Sequence, residues 1–290
     1  MNIAVSGATG LVGRALVPRL ESLGHRVLPL VRPGGRATGI PWDPAVGTID
    51  AAALRTCDAV IHLAGESVAQ RWTTAARERI LASRVTGTGL LARTLATDPG
   101  AVRTFVSASG VALAGGTGDR PASEADDQGR GFLAEVVRAW EGAAAPLAGG
   151  PVRTAFLRTG VVLTPRGGAL AQMLPPFRFG LGGPVGDGRQ WLPWISLDAL
   201  VEAYVQALTD ASVIGPVHAV SGNVRQGDFA RTLGRVLHRP AFLPMPAFAV
   251  GLLFGAMGRE LLLESLCVQP SPRLRSLDGD LEPVLARLVG

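Results

Sequence analysis

The chain has 290 residues, of which 47% are hydrophobic, and its formal net charge is +5 at pH 7. This length is typical of one large domain, or of one domain with an appended lobe, and the apolar content is sufficient for a sizeable core. All 28 basic side chains are arginines, scattered without the basic runs that mark a polynucleotide-binding surface, so we expect no nucleic-acid partner.

Cys57 and Cys267 lack the spacing of a metal site or a disulfide framework, and we expect a cytoplasmic protein without a bound metal. The chain opens on an apolar run, without the basic region and cleavage site of a signal peptide. Its most apolar stretch, residues 247–257, is about half as long as the roughly 20 residues of a membrane span. We therefore expect a buried helix there and no membrane span, with membrane contact as the alternative.

Strand-like and helix-like segments alternate along the first part of the chain. Residues 2–6 form an apolar run that enters a glycine-rich turn, and leucines at helical spacing follow in residues 11–23. Such alternation predicts βαβ units and therefore a parallel sheet. The further elements predicted here are an apolar run at 25–32, a strand at 58–64, a helix at 73–95, a strand at 104–108 and a later strand of the same sheet at 153–163.

A polar loop at 115–131 and a segment rich in glycine and proline at 166–194 interrupt this pattern. Helices are predicted near residues 200–208, 228–237 and 247–266. We therefore expect an α/β fold, a Rossmann-type doubly wound parallel sheet with a small C-terminal substrate lobe. The predicted domains are 1–165 for the Rossmann domain, with 195–220 returning to it, and 166–194 with 221–290 for the lobe.

The most specific motif is the glycine triplet Gly7, Gly10 and Gly13, which follows a strand and precedes a helix. In this context the first glycine allows a tight turn, the second lets the backbone approach a pyrophosphate, and the third permits close helix packing. The helix N-terminus then presents amide groups and a positive dipole end to the phosphates. The motif predicts a dinucleotide site.

Arg32 ends the second predicted strand, where a site for NAD(H) usually places an acidic residue on the ribose 2′-hydroxyl. No acidic residue lies between Gly24 and Thr38, and an arginine attracts a 2′-phosphate instead. Arg14 offers a second positive charge. The sequence favours NADP(H) over NAD(H), the alternative being that Arg32 is an ordinary solvated side chain. His62, near the end of a later strand, is interpreted as a strand histidine rather than an acid or base.

These segments resemble the extended short-chain dehydrogenase/reductases, in the branch similar to epimerases and dehydratases. Residues 63–91, 157–201 and 239–265 further resemble one subfamily, called epimerase family proteins and by an older label cell-division-inhibitor-like. The resemblance implies a Rossmann domain with a small C-terminal substrate lobe. It also implies that Arg84 either organises the cofactor site or forms a structural salt bridge. The cofactor contacts that it implies are Gly7, Thr9, Gly10, Leu11, Val12, Arg32, Leu63, Ala64, Gly65, Glu66 and Arg84.

The catalytic pair of the wider group is missing. There a tyrosine acts on the substrate oxygen, and a lysine four residues later lowers its pKa. Here the chain has one tyrosine, Tyr204, in a helical run, and no lysine. Residues 132–141, where that helix belongs, contain neither. Ser109 and Arg158 remain as candidate catalytic residues that would stabilise a developing oxyanion, with a turn or cap role as the alternative for Ser109.

Other polar and aromatic residues have two interpretations each. Trp191 and Trp194 either wall a substrate pocket between the lobes or pack in a core. Glu135 and Arg138, at i and i+3, are interpreted as an ion pair. Two functions follow: an NADP(H)-dependent oxidoreductase or epimerase-like enzyme with non-standard catalytic groups, or a non-catalytic NADP(H)-binding regulatory or scaffold protein linked to cell division or envelope processes. The sequence favours the enzyme, with a small-molecule substrate, and has no signal for substrate identity or oligomeric state.

Overall fold

The central sheet is built from short, buried parallel strands in the computed structural model, which describes residues 1–32, 34, 38–275 and 277–290. β1 (Asn2–Ser6) is buried from Ile3 onward, as expected for a parallel strand covered on both faces. Its neighbours are β2 (Arg26–Val31) and β5 (Ala59–His62), both parallel to it. The other strands of this sheet are β3 (Ile40–Asp43), β4 (Thr48–Ile49), β6 (Thr104–Gly110), β7 (Arg153–Thr159) and β10 (Gly215–Ala219).

Within the described residues these eight strands lie in the order β10-β7-β6-β5-β1-β2-β3-β4, and all neighbouring pairs are parallel except β3 with β4. The direction of winding reverses at β1, between β5 and β2. At such a switch point the carboxyl ends of the strands leave a crevice in which α/β proteins bind ligands.

Helices cover both faces of the sheet. α1 (Leu11–Ser22) and α6 (Leu197–Thr209) pack on one face, around a core that contains the fully buried side chain of Tyr204. α2 (Ala51–Leu54) and α3 (Thr74–Thr97) pack on the other, and α4 (Phe132–Gly142) lies beside α3. The predicted Rossmann-type, doubly wound sheet is confirmed.

A second, smaller sheet with its own core follows in the C-terminal half. It consists of β8 (Val161–Leu163), β9 (Trp191–Ser196) and β11 (Gly222–Arg225), with β9 in the middle. Its core is shared with α5 (Gly168–Arg178), α7 (Gln226–Val236) and α9 (Leu281–Val289).

Two predicted elements are wrong in detail. Residues 153–163 are not one strand, because Val161–Leu163 pairs with β9 in the small sheet. The break falls at Gly160, where a Cβ atom would lie 2.8 Å from the carbonyl oxygen of Pro193. The segment 166–194 is also less irregular than its composition indicates, because α5 forms in spite of Pro175 and Pro176.

The apolar stretch near residue 250 forms α8 (Ala247–Gly258), which is kinked at Gly255 (φ +60°) and is followed by a π-helical turn at Arg259–Leu263. The expectation of a buried helix is wrong. Val250 and Gly258 are its buried residues, whereas Phe248 is 77% exposed and Leu252 is 80% exposed. Among the described residues, no helix combines the length and the apolar character needed to cross a membrane.

Candidate functional site

The glycine-rich loop joins β1 to α1 at the switch point of the sheet. Gly7 has φ +70°, and a Cβ atom there would lie 2.9 Å from the backbone nitrogen of Ala64. Only glycine combines this left-handed conformation with so close an approach to the loop after β5. The Gly10 amide donates to the Gly7 carbonyl over 2.9 Å and closes the turn.

Gly13 lies in the first turn of α1, directly against this loop. A Cβ atom on it would lie 2.3 Å from the Gly7 oxygen, so no other residue fits without moving the backbone. Gly10 precedes the helix, and within the described residues no side chain caps this end. The first-turn amides and the positive end of the helix dipole therefore face the crevice, as an anion site requires. Thr9 and Gly10 are exposed, and Leu11 and Val12 are half-buried.

Arg32 directly follows β2, the strand next to β1 on the side away from β5. Its side chain is exposed and has no ion-pair partner among the residues that the structure describes. Arg14, on the first turn of α1, is exposed as well. The nucleotide end of the crevice therefore carries positive charge where an acidic residue would accept from a ribose 2′-hydroxyl.

The loop after β5, which contains Leu63, Ala64, Gly65 and Glu66, is held in place from two sides. The Ser6 hydroxyl accepts the Leu63 and Ala64 amides over 3.1 and 3.2 Å. On the other side the Glu66 amide donates to the Ser83 hydroxyl over 2.9 Å.

Arg84 completes this support. Its Nη1 donates to the Glu66 carbonyl over 2.9 Å, and a Cβ atom on Gly65 would lie 3.2 Å from its Cζ. Its guanidinium lies over the Trp140 ring at 4.9 Å, and burial lowers the pKa of Arg84 to about 10. The Glu66 carboxylate pairs with Arg79 instead, at 3.1 Å. Of the two roles considered for Arg84, the contacts favour the organising one, exerted through the backbone of the loop.

Ser109 and Arg158, the candidate catalytic residues, are register partners on β6 and β7. Both are buried, and both bind one carboxylate. The Ser109 hydroxyl donates to Glu141 Oε1 over 2.6 Å, and Arg158 donates to both Glu141 oxygens over 2.8 Å. Arg158 Nη1 donates to the Glu124 carbonyl over 2.9 Å. The structure brings the two residues together around one carboxylate, that of Glu141.

Sequence reasoning missed Glu141, the residue that connects this pair. A buried arginine needs a carboxylate partner, and this requirement is the signal that could have prompted a search for one. It does not indicate which of the 23 acidic residues supplies the carboxylate.

The remaining residues singled out in the sequence make other contacts. Trp194 is buried in the core of the small sheet. Trp191 lies at the junction with the polar loop, where its Nε1 donates to Asp119 over 3.0 Å and Arg225 stacks on its ring at 3.9 Å. The predicted Glu135–Arg138 ion pair is wrong, because Arg138 binds Asp127 at 2.8 Å.

The sheet order, the glycine cradle and the uncapped α1 together define a Rossmann-type, nucleotide-binding protein of the short-chain dehydrogenase/reductase class. A sequence model described as the NAD dependent epimerase/dehydratase family matches residues 3–220, and the chain belongs to that family.

Its relatives are called epimerase family proteins. One from Mycobacterium bovis is 39% identical over 264 residues, which is 90% of this chain and 87% of the relative. Human epimerase family protein SDR39U1 is 36% identical over 284 residues, covering 94% of this chain and 93% of the relative. The crystal structure of human SDR39U1 (isoform 2) with NADPH superposes with a TM-score of 0.90 at 35% identity, covering 99% of both chains.

Proposed function

We propose that this protein binds NADP(H) in the crevice at the carboxyl ends of β1, β2 and β5. The observation that carries the proposal is Arg32, an exposed cation at the end of β2, beside a glycine cradle that a Cβ atom would obstruct. A 2′-phosphate is the group such a cation would bind, and an NAD(H) site would prefer an acidic residue there. The similar human protein was crystallised with NADPH, which supports the same choice.

Different residues of the crevice would bind different parts of the cofactor. Gly7, Gly10 and the first turn of α1 would hold the pyrophosphate, with Thr9, Leu11 and Val12 at its sides. Leu63 to Glu66 would support the adenosine, on a loop that Arg84 fixes through the Glu66 carbonyl. Arg32 would bind the 2′-phosphate. When bound, NADPH supplies a hydride to an acceptor.

The substrate lobe would consist of residues 166–194 and 221–290, with 1–165 and 195–220 as the nucleotide domain. The lobe reaches the glycine-rich loop, because a Cβ atom on Gly167 would lie 3.1 Å from Leu11 Cδ1. A small-molecule substrate between the two parts would then lie close to the nicotinamide end of the crevice.

The reaction that fits these residues is reduction of an already polarised acceptor. Epimerisation of a sugar nucleotide needs a base on the substrate hydroxyl, a role worth about 10²–10⁴-fold in rate. Tyr204 cannot fill it, because its side chain is 1% exposed and burial raises the pKa of its phenol. Ser109 and Arg158 would stabilise an oxyanion only if they release Glu141. Because Ser109 and Arg158 are both bound to Glu141, the site also supports a second candidate function. In it the protein is non-catalytic and NADP(H) is a structural or sensing ligand.

Two measurements test the proposal. Calorimetric titration should show tighter binding of NADPH than of NADH, and equal affinities would contradict the assignment of Arg32. The NADPH-loaded protein should then be screened at the nicotinamide absorbance band against enones and quinones, and the NADP⁺-loaded protein should be assayed by NMR for epimerisation of UDP-sugars. Oxidation by an enone or quinone supports the reductase, and brisk UDP-sugar epimerisation contradicts it. Tight NADPH binding without turnover across the panel supports the non-catalytic candidate.

A further inference from the structure

The loops at 179–184 and 239–246 and helix α8, which follows the second loop directly, expose large apolar side chains. Phe179 is 81% exposed, more than any other large hydrophobic side chain of the described residues. Exposed apolar clusters of this kind mark interaction sites in soluble proteins. We call this set the apolar rim, and it consists of Phe179, Leu181, Phe242, Leu243, Phe248, Leu252 and Leu253.

The two loops of the apolar rim are joined by backbone contacts. The Leu243 amide donates to the Gly182 carbonyl over 3.2 Å, and the Met245 amide donates to the Pro184 carbonyl over 2.9 Å. α8 begins directly afterwards, at Ala247. Main-chain hydrogen bonds therefore join the two loops of the rim, and α8 continues from the second of them.

α8 itself has the composition of a buried helix. It reads AFAVGLLFGAMG, without a charged or hydrogen-bonding side chain, and a helix that is apolar on all sides is normally covered. Phe248 and Leu252, one turn apart, nevertheless face outward together. Its length of 12 residues excludes a span, so whatever covers it must meet it from the side.

The two segments that carry the rim contribute positive charge and no acidic side chain of their own. Residues 166–186 and 229–259 contain no aspartate or glutamate. Arg166, Arg231 and Arg235 in these segments pair with acidic residues outside them. Arg178, Arg239 and Arg259 have no ion-pair partner among the described residues, and the first two are adjacent, because Arg239 Nε donates to the Arg178 carbonyl over 3.0 Å.

This charge pattern indicates which kind of partner binds the apolar rim. A two-fold interface between copies of the chain would place the rim against itself, with arginines opposite arginines and no acid in either segment to pair them. An anionic bilayer surface meets both features, because acyl chains take up apolar side chains while lipid phosphates attract the arginines at their edge. We propose that the apolar rim and its arginines bind the surface of an anionic phospholipid bilayer, with α8 lying in the interface.

Co-sedimentation of the full-length protein with vesicles tests this surface. The protein should bind phosphatidylcholine vesicles that contain about 30% phosphatidylglycerol and bind pure phosphatidylcholine at least about tenfold less. The double variant Arg178→Gln, Arg259→Gln should weaken binding by about fivefold per arginine. Phe179→Ser with Leu252→Ser should weaken it by about tenfold or more. Matched controls are Arg93→Gln and Val46→Ser, both on exposed side chains elsewhere, and both should bind as the wild type does.

Three outcomes would overturn the proposal. The first is failure of the wild type to sediment with either vesicle, and the second is equal binding to both compositions. The third is a stable dimer in lipid-free solution that Leu252→Ser dissociates, because it would assign the rim to a second copy. All substituted side chains are exposed, so thermal unfolding should match the wild type and separate loss of binding from loss of fold.

Discussion

The Ser6 hydroxyl donates to Nδ1 of His62 over 2.6 Å, across the carboxyl ends of β1 and β5. The direction follows from the other contacts of Ser6, whose oxygen already accepts the Leu63 and Ala64 amides and so has only its proton left to give. His62 therefore carries its own hydrogen on Nε2, which is buried without a hydrogen-bond partner among the described residues. The neutral ring fixes Ser6, and Ser6 fixes the loop that faces the candidate cofactor.

The protein should lose stability in mild acid because of His62. Burial, with a smaller effect from the Arg84 charge, lowers the pKa of His62 from 6.5 to about 3. Because the folded pKa is depressed, this stability is fully present above the unfolded pKa of 6.5 and is lost as pH falls toward 3. Between about pH 8 and about pH 5 the loss should be about 2 kcal/mol.

Urea unfolding at those two pH values measures the loss, and His62→Asn supplies the comparison. The variant is expected to be less stable at the higher pH, but its stability should change less with pH than that of the wild type. An equal pH dependence in both proteins would show that another group is responsible.

Arg32→Asp should erase or reverse the preference for NADPH. Loss of a charge-assisted contact to the 2′-phosphate should cost about 2 kcal/mol of NADPH binding free energy. The matched control is Arg26→Asp, an exposed arginine at the opposite end of the same strand, which should leave both affinities unchanged. Calorimetric titration with each cofactor measures the ratio of NADPH to NADH affinity. An unchanged ratio in Arg32→Asp would refute the role of Arg32.

Gly13→Ala should damage the nucleotide crevice. The added methyl group would lie 2.3 Å from the Gly7 oxygen, so the loop or α1 must move. We expect about 1–3 kcal/mol of destabilisation and at least about a tenfold loss of NADPH affinity. Gly142→Ala, in α4 with nothing within 4 Å of its added methyl group, should leave NADPH affinity unchanged and should not destabilise the fold. Wild-type affinity in Gly13→Ala would show that the cradle tolerates a side chain.

Glu141→Gln should destabilise the fold by about 3 kcal/mol, because it leaves the Arg158 guanidinium buried without a carboxylate. Glu202→Gln is the control, since its pair with Arg19 is about 40% exposed on both sides and such pairs contribute about 1 kcal/mol or less. Denaturant unfolding of both variants compares them. A loss below about 1 kcal/mol for Glu141→Gln would mean that Ser109 and Arg158 are free to release Glu141 and meet a ligand.

The nucleotide crevice could be predicted from the sequence because its requirements are local. Gly7 and Gly13 are needed for backbone geometry within one strand–turn–helix unit, and that unit is contiguous in the chain. Arg32 follows the next strand of the same βαβ unit, so its place at the crevice follows from the parallel sheet. The absence of a lysine is likewise a property of the sequence alone.

Tertiary packing decided the features that depend on distant partners. Glu141 meets Ser109 and Arg158 across 32 and 17 residues, and no periodicity in the chain indicates that meeting. The chain after β7 leaves the large sheet at Gly160, which packs closely on the distant Pro193, and pairs with β9 instead. The composition of α8 predicts burial, and the structure leaves it exposed because its neighbours cover Val250 and leave Phe248 and Leu252 without a cover. Apolar composition specifies that a surface needs covering, whereas the three-dimensional arrangement decides whether the same chain supplies the cover.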